Sequence, residues 1–255
     1  MGMIKTGAEI VAMREAGKLV AQALAAVREH AAVGVSLKEL DDVAAAVFSA
    51  AGAVPAFLDY HPRWAPTGFP GVICASVNDA IVHGIPNGYR LSDGDLVSID
   101  AGAFLDGWCG DSAISFTVGA GRPEDLALIA ATEAALARGI EAARVGNTMG
   151  DIGHAVEIQA RRAGYGLLAD HGGHGIGRAM HEDPHVPNEG LPGRGIKITE
   201  GLVIAIEPML IAGGSDEYKH DDDGWTLRTL NGERAAHSEH TIAVTAEGPV
   251  ILTRP

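Results

Sequence analysis

The sequence predicts an α/β (α+β) chain of two similar halves, each running helix, helix and then strands, with helices backing a mixed or antiparallel sheet about a pseudo-two-fold axis. Two observations carry this. The order of elements repeats on either side of Gly119-Ala-Gly, and 47% of the 255 residues are apolar with no long Pro/Ser-rich linker between the halves. A chain of that length and composition can bury one large core, so residues 1–255 are expected to form a single domain.

The first helix starts after Thr6, which with Glu9 makes a capping box. Ile10, Met13, Val20, Leu24 and Val27 follow at steps that fit a 3.6-residue period, with Gly17 in the one gap. Ser36 and Glu39 cap a second helix whose stripe is Leu40, Val43, Val47 and Phe48, and Gly52 ends it. Extended runs are expected at 72–77, 96–99 and 113–118. In the second half Pro123 sits where a helix starts, and Leu126, Ile129, Leu136 and Ile140 follow it. Another helix runs from about Thr148 to Gly164, before strands at 202–206, 225–228 and 241–245.

Composition excludes several functions. The formal charge of −14, spread along the chain, offers no basic stripe to a phosphate backbone and repels an anionic membrane surface. Nucleic acid and membrane are therefore not expected partners. The only cysteines are Cys74 and Cys109, and neither a signal-type apolar segment nor an uninterrupted apolar stretch of spanning length is present, so the cytoplasm is the expected compartment.

Asp100, Asp111, His174, Glu207 and Glu239 stand out. Most of them sit at the ends of apolar β-type runs, where several buried like charges would each cost several kcal/mol without a cation. Four carboxylates and an imidazole suit a pair of divalent metals. The ordinary reading of a carboxylate in a chain with 33 Asp and Glu is a solvated surface group. Glu207 escapes it best, following five apolar residues and preceding Pro208, which cannot donate to a ladder. Asp100 has the same context. Asp111, beyond Gly107 and Gly110, reads equally well as a turn residue, but its separation of eleven from Asp100 suits a hairpin that sets two carboxylates side by side. Asp100 and Asp111 belong to the first half and His174, Glu207 and Glu239 to the second, which puts the site at the seam.

His174 lies in Gly172-Gly-His-Gly-Ile-Gly, but that run lacks Gly-Lys-Ser/Thr and does not spell a dinucleotide motif in register. His83 and His181 read on their own as ordinary polar residues or as functional ones. The His220-Asp-Asp-Asp segment, between glycines, reads as a solvated loop.

Six strings in order, Asn78-Asp-Ala-Ile-Val-His-Gly-Ile-Pro, Ile99-Asp to Gly110-Asp, Gly173-His-Gly-Ile-Gly-Arg-Ala-Met-His-Glu, Ile206-Glu-Pro-Met, Asp223-Gly-Trp-Thr and Ser238-Glu-His-Thr, resemble the type I methionine aminopeptidases. The resemblance runs from the first helix to Leu252. It implies the pita-bread fold and a dinuclear centre of Co, Mn, Fe or Zn, with Asp100 and Glu239 on one metal, Asp111 and Glu239 bridging, and His174 and Glu207 completing the second. It further implies that Glu207 takes the proton of the attacking water, that His181 stabilises the oxyanion and that His83 contacts the scissile amide. Phe69, Cys74, Met180 and Trp225 would line the pocket for the Met side chain. Met180 stands where an aromatic residue is more usual, and Pro66 where Tyr is common.

The implied substrates are nascent chains and peptides with an N-terminal Met and a small second residue. The short, bacterial-type form is expected, acting as a monomer with possible proximity to the ribosome. The rival readings are a proline-specific or general dinuclear aminopeptidase, and a non-catalytic binding module of the same fold. Met1-Gly2 would itself be a substrate sequence.

Overall fold

The structure is a computed structural model that describes residues 3–254. Among the described residues four α-helices form, α1 (Gly7–His30), α2 (Leu37–Ala50), α3 (Pro123–Ala142) and α4 (Met149–Arg162). The first-half strands are β1 (Val54–Pro55), β2 (Ile73–Val77), β3 (Ala80–Val82), β4 (Leu96–Leu105) and β5 (Trp108–Thr117). The second half adds β6 (Gly166–Leu167), β7 (Gly172–Gly175), β8 (Glu182–Pro187), β9 (Val203–Ile206) and β10 (Met209–Ile211). It continues with β11 (Tyr218–His220), β12 (Leu227–Thr229), β13 (Ala235–His237), β14 (Glu239–Thr245) and β15 (Gly248–Ile251).

The expected caps form. Thr6 N–H and Ser36 N–H donate to the carboxylates of Glu9 and Glu39 at 2.7 and 2.8 Å, and Thr148 N–H donates to the carboxylate of Asp151 at 2.7 Å. Gly17 is explained by packing. A Cβ there would collide with the Leu252 carbonyl, so Gly17 lets the C-terminal segment pass against α1, and one on Gly110 would lie 2.9 Å from the Gly17 Cα, so Gly110 lets α1 lie directly on β5. One helical expectation fails: Leu126 is exposed, because α3 buries Asp125, Leu128, Ile129, Thr132 and Leu136, a face on which position 126 does not fall.

The main sheet has nine strands in the order β1-β4-β5-β14-β9-β7-β8, with β2 also on β4 and β15 also on β14, and its ladders are antiparallel. Its central pair, β5 with β14, joins the halves. Ser112 Oγ donates to the Glu239 carbonyl at 2.6 Å there, and Thr241 Oγ donates to the Asp111 carbonyl at 2.7 Å. One buried cluster packs α1 and α2 on first-half strands, and another packs α3 and α4 on second-half strands. Each amphipathic helix pair thus covers its own half of one curved sheet.

Three of the expected runs differ in extent from the sequence reading. The expected runs at 96–99 and 113–118 are parts of a long hairpin in which Leu105 pairs with Trp108 across Asp106-Gly107, both at positive φ (50° and 76°). Two left-handed residues in a two-residue loop match the right-handed twist of the flanking strands. The run expected at 225–228 is a strand only from Leu227, because Asp223 Oδ1 accepts the N–H groups of Trp225 and Thr226, each at 2.8 Å, and holds them in a turn.

Candidate metal centre

The β4–β5 hairpin delivers two of the five ligand candidates. Its register sets Asp100 opposite Ala113 and Asp111 opposite Gly102, which places the two aspartates diagonally on adjacent strands. His174 lies in β7, Glu207 follows β9, and Glu239 opens β14. Every neighbour in the order β4-β5-β14-β9-β7 therefore contributes one residue. The glycines around His174 are sterically required: a Cβ on Gly173 would strike the Ala205 carbonyl of β9, and one on Gly175 the Asp183 carbonyl.

These side chains converge. Asp111, His174 and Glu239 each offer a ligand atom within 4.8 Å of the others. His174 Nε2 stands 3.8 Å from Asp111 Oδ2 and 3.7 Å from Glu207 Oε1. Nδ1 of the same ring pairs with the Gly175 carbonyl at 2.9 Å, an acceptor that calls for a proton on Nδ1 and so frees the Nε2 lone pair for a cation. The backbone of Glu207 is held by the buried Asn188, whose amide donates to its carbonyl at 2.9 Å.

The electrostatics suit a cation. Asp100 Oδ1, Asp111 Oδ1 and Glu239 Oε1 are buried with no hydrogen-bond partner among the described residues. Burial pushes the Asp100 carboxyl up to about 7. Burial, and then the neighbouring carboxylates, hold Asp111, Glu207 and Glu239 well above the ordinary carboxylate range. His174 is driven the other way, to about 3, by burial and then by His181. Oxygen-rich ligands with one imidazole fit hard to borderline divalent ions, and such ions would remove the repulsion that raises the carboxyls.

A cavity of about 320 Å³ opens onto the cluster. Phe69, Cys74, Met180 and Trp225 line it as the sequence suggested, with Phe69 and Trp225 packed edge to face at 5.1 Å between centroids. His83 and His181 line it too. His181 Nδ1 lies 3.0 Å from the Tyr60 hydroxyl, which burial keeps protonated, so a phenol donating to Nδ1 leaves Nε2–H free to donate into the cavity. Burial lowers the pKa of His181. His83 adopts a left-handed backbone (φ 60°), and its Nδ1 is buried without a partner among the described residues. Burial, followed by His171 and His181, lowers its pKa to about 4. Such strain in a buried histidine is characteristic of a functional position.

Four residues escaped the sequence reading. Phe57, Tyr60 and Trp64 complete the aromatic wall, and Trp64, 59% exposed, packs edge to face on Trp225 at 5.1 Å. They come from a loop without periodicity, closed by backbone bonds between Phe69 and both Asp59 and Tyr60. Pro66 is not at this rim in the way a tyrosine would be; it packs against Gly224. The fourth is His237, whose Nε2 sits 3.9 Å from both Glu207 Oε2 and Glu239 Oε2. The His220 segment stays apart from the cluster: His220 is exposed, and Asp221 pairs with Arg228.

A curved antiparallel sheet carrying a carboxylate-rich cation centre beside an aromatic pocket defines a metallopeptidase. Residues 11–246 match the sequence model of metallopeptidase family M24, and the chain belongs to that family. It is 51% identical to methionine aminopeptidase 1 of Mycobacterium tuberculosis, over 98% of this chain and 94% of that protein. It is 42% identical to methionine aminopeptidase 1 of Bacillus subtilis over the full length of both. The crystal structure of methionine aminopeptidase from Rickettsia prowazekii superposes with a TM-score of 0.94 at 38% identity, covering 98% of this chain and 99% of that one. The prolidase of Pyrococcus furiosus shares the fold (TM-score 0.80) at 23% identity, with 66% of its chain covered.

Proposed function

We propose that this chain is a methionine aminopeptidase whose centre is built from Asp100, Asp111, His174, Glu207 and Glu239, and that residues 1–255 act as one catalytic domain. The carrying observation is the set of orphaned, charge-raised carboxylates facing an aromatic pocket of about 320 Å³, a volume suited to one or two residues of a peptide end. Divalent ions at such a centre acidify a water toward neutrality and polarise the carbonyl it attacks.

The residues supply the rest. Phe57, Phe69, Cys74, Met180 and Trp225 hold the thioether side chain of the terminal Met, a soft group that packs well on aromatic rings and sulfur. Glu207 accepts the proton of the attacking water as its oxygen bonds to the carbonyl carbon. His181, with Nε2–H directed inward by Tyr60, donates to the oxyanion that develops. Glu207 returns the proton to the departing nitrogen as the C–N bond breaks, and His83 holds that amide in place. The products are free methionine and a peptide one residue shorter. The substrates are N-terminal Met chains with a small second residue, met in the cytoplasm near the ribosome by a monomeric enzyme. No described helix is long and apolar enough to cross a membrane.

Cleavage of Met-Gly, Met-Ala, Met-Leu, Ala-Pro and N-acetyl-Met-Ala by Mn-loaded protein tests this. Rapid release of Met from the first two alone is expected. Equal cleavage of Met-Leu would reduce the activity to a general aminopeptidase, and preference for Ala-Pro would overturn the reading in favour of a prolidase.

A further inference from the structure

His237 belongs to no ligand set described above, yet its backbone is held firmly beside the centre. It is 2% exposed, at the end of β13, where it pairs in register with Met209, two residues after Glu207. Its own backbone is clamped by two hydroxyls. Ser115 Oγ donates to the His237 carbonyl at 2.7 Å, and the His237 N–H points at Ser115 Oγ and Ser98 Oγ at 3.1 and 3.3 Å. Those serines lie 2.8 Å apart on β4 and β5, the strands that carry Asp100 and Asp111. The peptide bearing His237 is thereby fixed in place relative to four of the five proposed ligands.

The ring, by contrast, has nothing to hold at its inner end. Nε2 is buried without a hydrogen-bond partner among the described residues, and the acceptors it faces, Glu207 Oε2 and Glu239 Oε2, are equidistant at 3.9 Å. A buried ring nitrogen left unpaired costs on the order of 1–3 kcal/mol, so such an atom has a use. The gap exceeds a hydrogen bond by about 1 Å, a movement that a carboxylate rotating onto a cation readily makes. A carboxylate has about four lone-pair positions, and one that ligates a metal keeps some of them for a second donor.

We propose that His237 is a positioning residue that donates Nε2–H to the carboxylates of Glu207 and Glu239 when the centre is loaded, fixing the rotamers in which they bind the ions. His174 shows what a ligand requires here, an Nδ1 tied to a carbonyl so that Nε2 is an acceptor. His237 is tied through its backbone instead, and its ring is free to act as a donor. The proposal rests on the metal-centre reading above.

Titration of Mn²⁺ into chelator-stripped protein, followed by calorimetry and by the EPR signal of free Mn²⁺, tests it. His237→Ala is expected to weaken binding about 10–100-fold while two ions still bind at saturation, and His237→Gln, which keeps a donor, is expected to recover most of the loss. Unchanged affinity in His237→Ala overturns the proposal, as does a drop to one ion at saturation, which would make His237 a ligand. If the alanine variant does not fold, His237→Gln is compared with His237→Leu, and equal affinities overturn it. Failure of wild-type protein to bind Mn²⁺ more tightly than Asp111→Asn would instead overturn the metal centre itself.

Discussion

Stripping the metal should invert the dependence of stability on pH in one window. Folded and metal-free, the chain keeps protons on carboxyls held above their usual range, Asp100 at about 7 and Asp111, Glu207 and Glu239 in the same direction. Unfolded, these groups have lost their protons by about pH 5. The folded state thus binds more protons, so stability falls as pH rises, by about 1.4 kcal/mol per pH unit for each proton retained.

Buried histidines oppose this lower down. His174 and His237 are depressed to about 3, His83 and His240 to about 4 and His181 in the same direction, so their contribution rises with pH until unfolded imidazole, half deprotonated near pH 6.5, has lost its proton by about pH 7.5. The buried thiols of Cys74 and Cys109, pushed up by burial, begin to matter only near the thiol pKa of about 8.5. Between about pH 7.5 and 8.5 the histidines have dropped out and the carboxyls set the slope, with the thiols adding in the same direction at its upper end. For a chain of 255 residues, each retained proton should lower the melting temperature by about 3–6 °C per pH unit. Circular-dichroism melts in chelator at about pH 7.5, 8 and 8.5 read this directly. Mn-loaded protein should show no such fall, since bound ions displace the protons. A metal-free melting temperature that is flat or rises over this window refutes the reasoning.

Glu207→Gln should keep the fold and lose about 10²–10⁴-fold in turnover of Met-Ala-Ser, because a neutral amide cannot accept the proton; near-normal turnover would sink that role. His181→Ala should lower kcat while metal content stays at the wild-type level, and Tyr60→Phe should show a smaller loss in the same direction, read by steady-state kinetics beside metal analysis. Gly173→Ala should destabilise the protein by more than about 2 kcal/mol in urea melts, since its Cβ meets the Ala205 carbonyl and neither strand can yield.

Much of this centre was legible in the sequence because its residues end or interrupt apolar runs. Glu207 follows Val203–Ile206 and Glu239 precedes the apolar part of β14, so a carboxylate at either place is conspicuous. The hairpin joining Asp100 to Asp111 followed from their spacing and from Gly107. The capping boxes at Thr6 and Ser36 were equally plain, being local in sequence. What escaped depends on tertiary closure. Tyr60 matters because its hydroxyl reaches His181, 121 residues away. His237 sits two residues from Glu239 but follows two alanines in a three-residue strand, and only the pairing of β13 with β10 turns it toward Glu207. Leu126 misled for the converse reason: an apolar residue near a helix start has no bearing on which face is buried. The Met1-Gly2 end lies outside the described residues, whereas the chain is tied down from Lys5, whose Nζ is 2.7 Å from Glu182 Oε2 beside His181.

The central claim is that five side chains from both halves hold a pair of divalent ions. A crystal of Mn-loaded protein measured at a wavelength with strong manganese anomalous scattering tests it most directly. Two peaks about 3.5–4 Å apart are predicted, enclosed by Asp100, Asp111, His174, Glu207 and Glu239. A single ion, or ions bound elsewhere such as at His220 to Asp223 with the five residues unliganded, would contradict it.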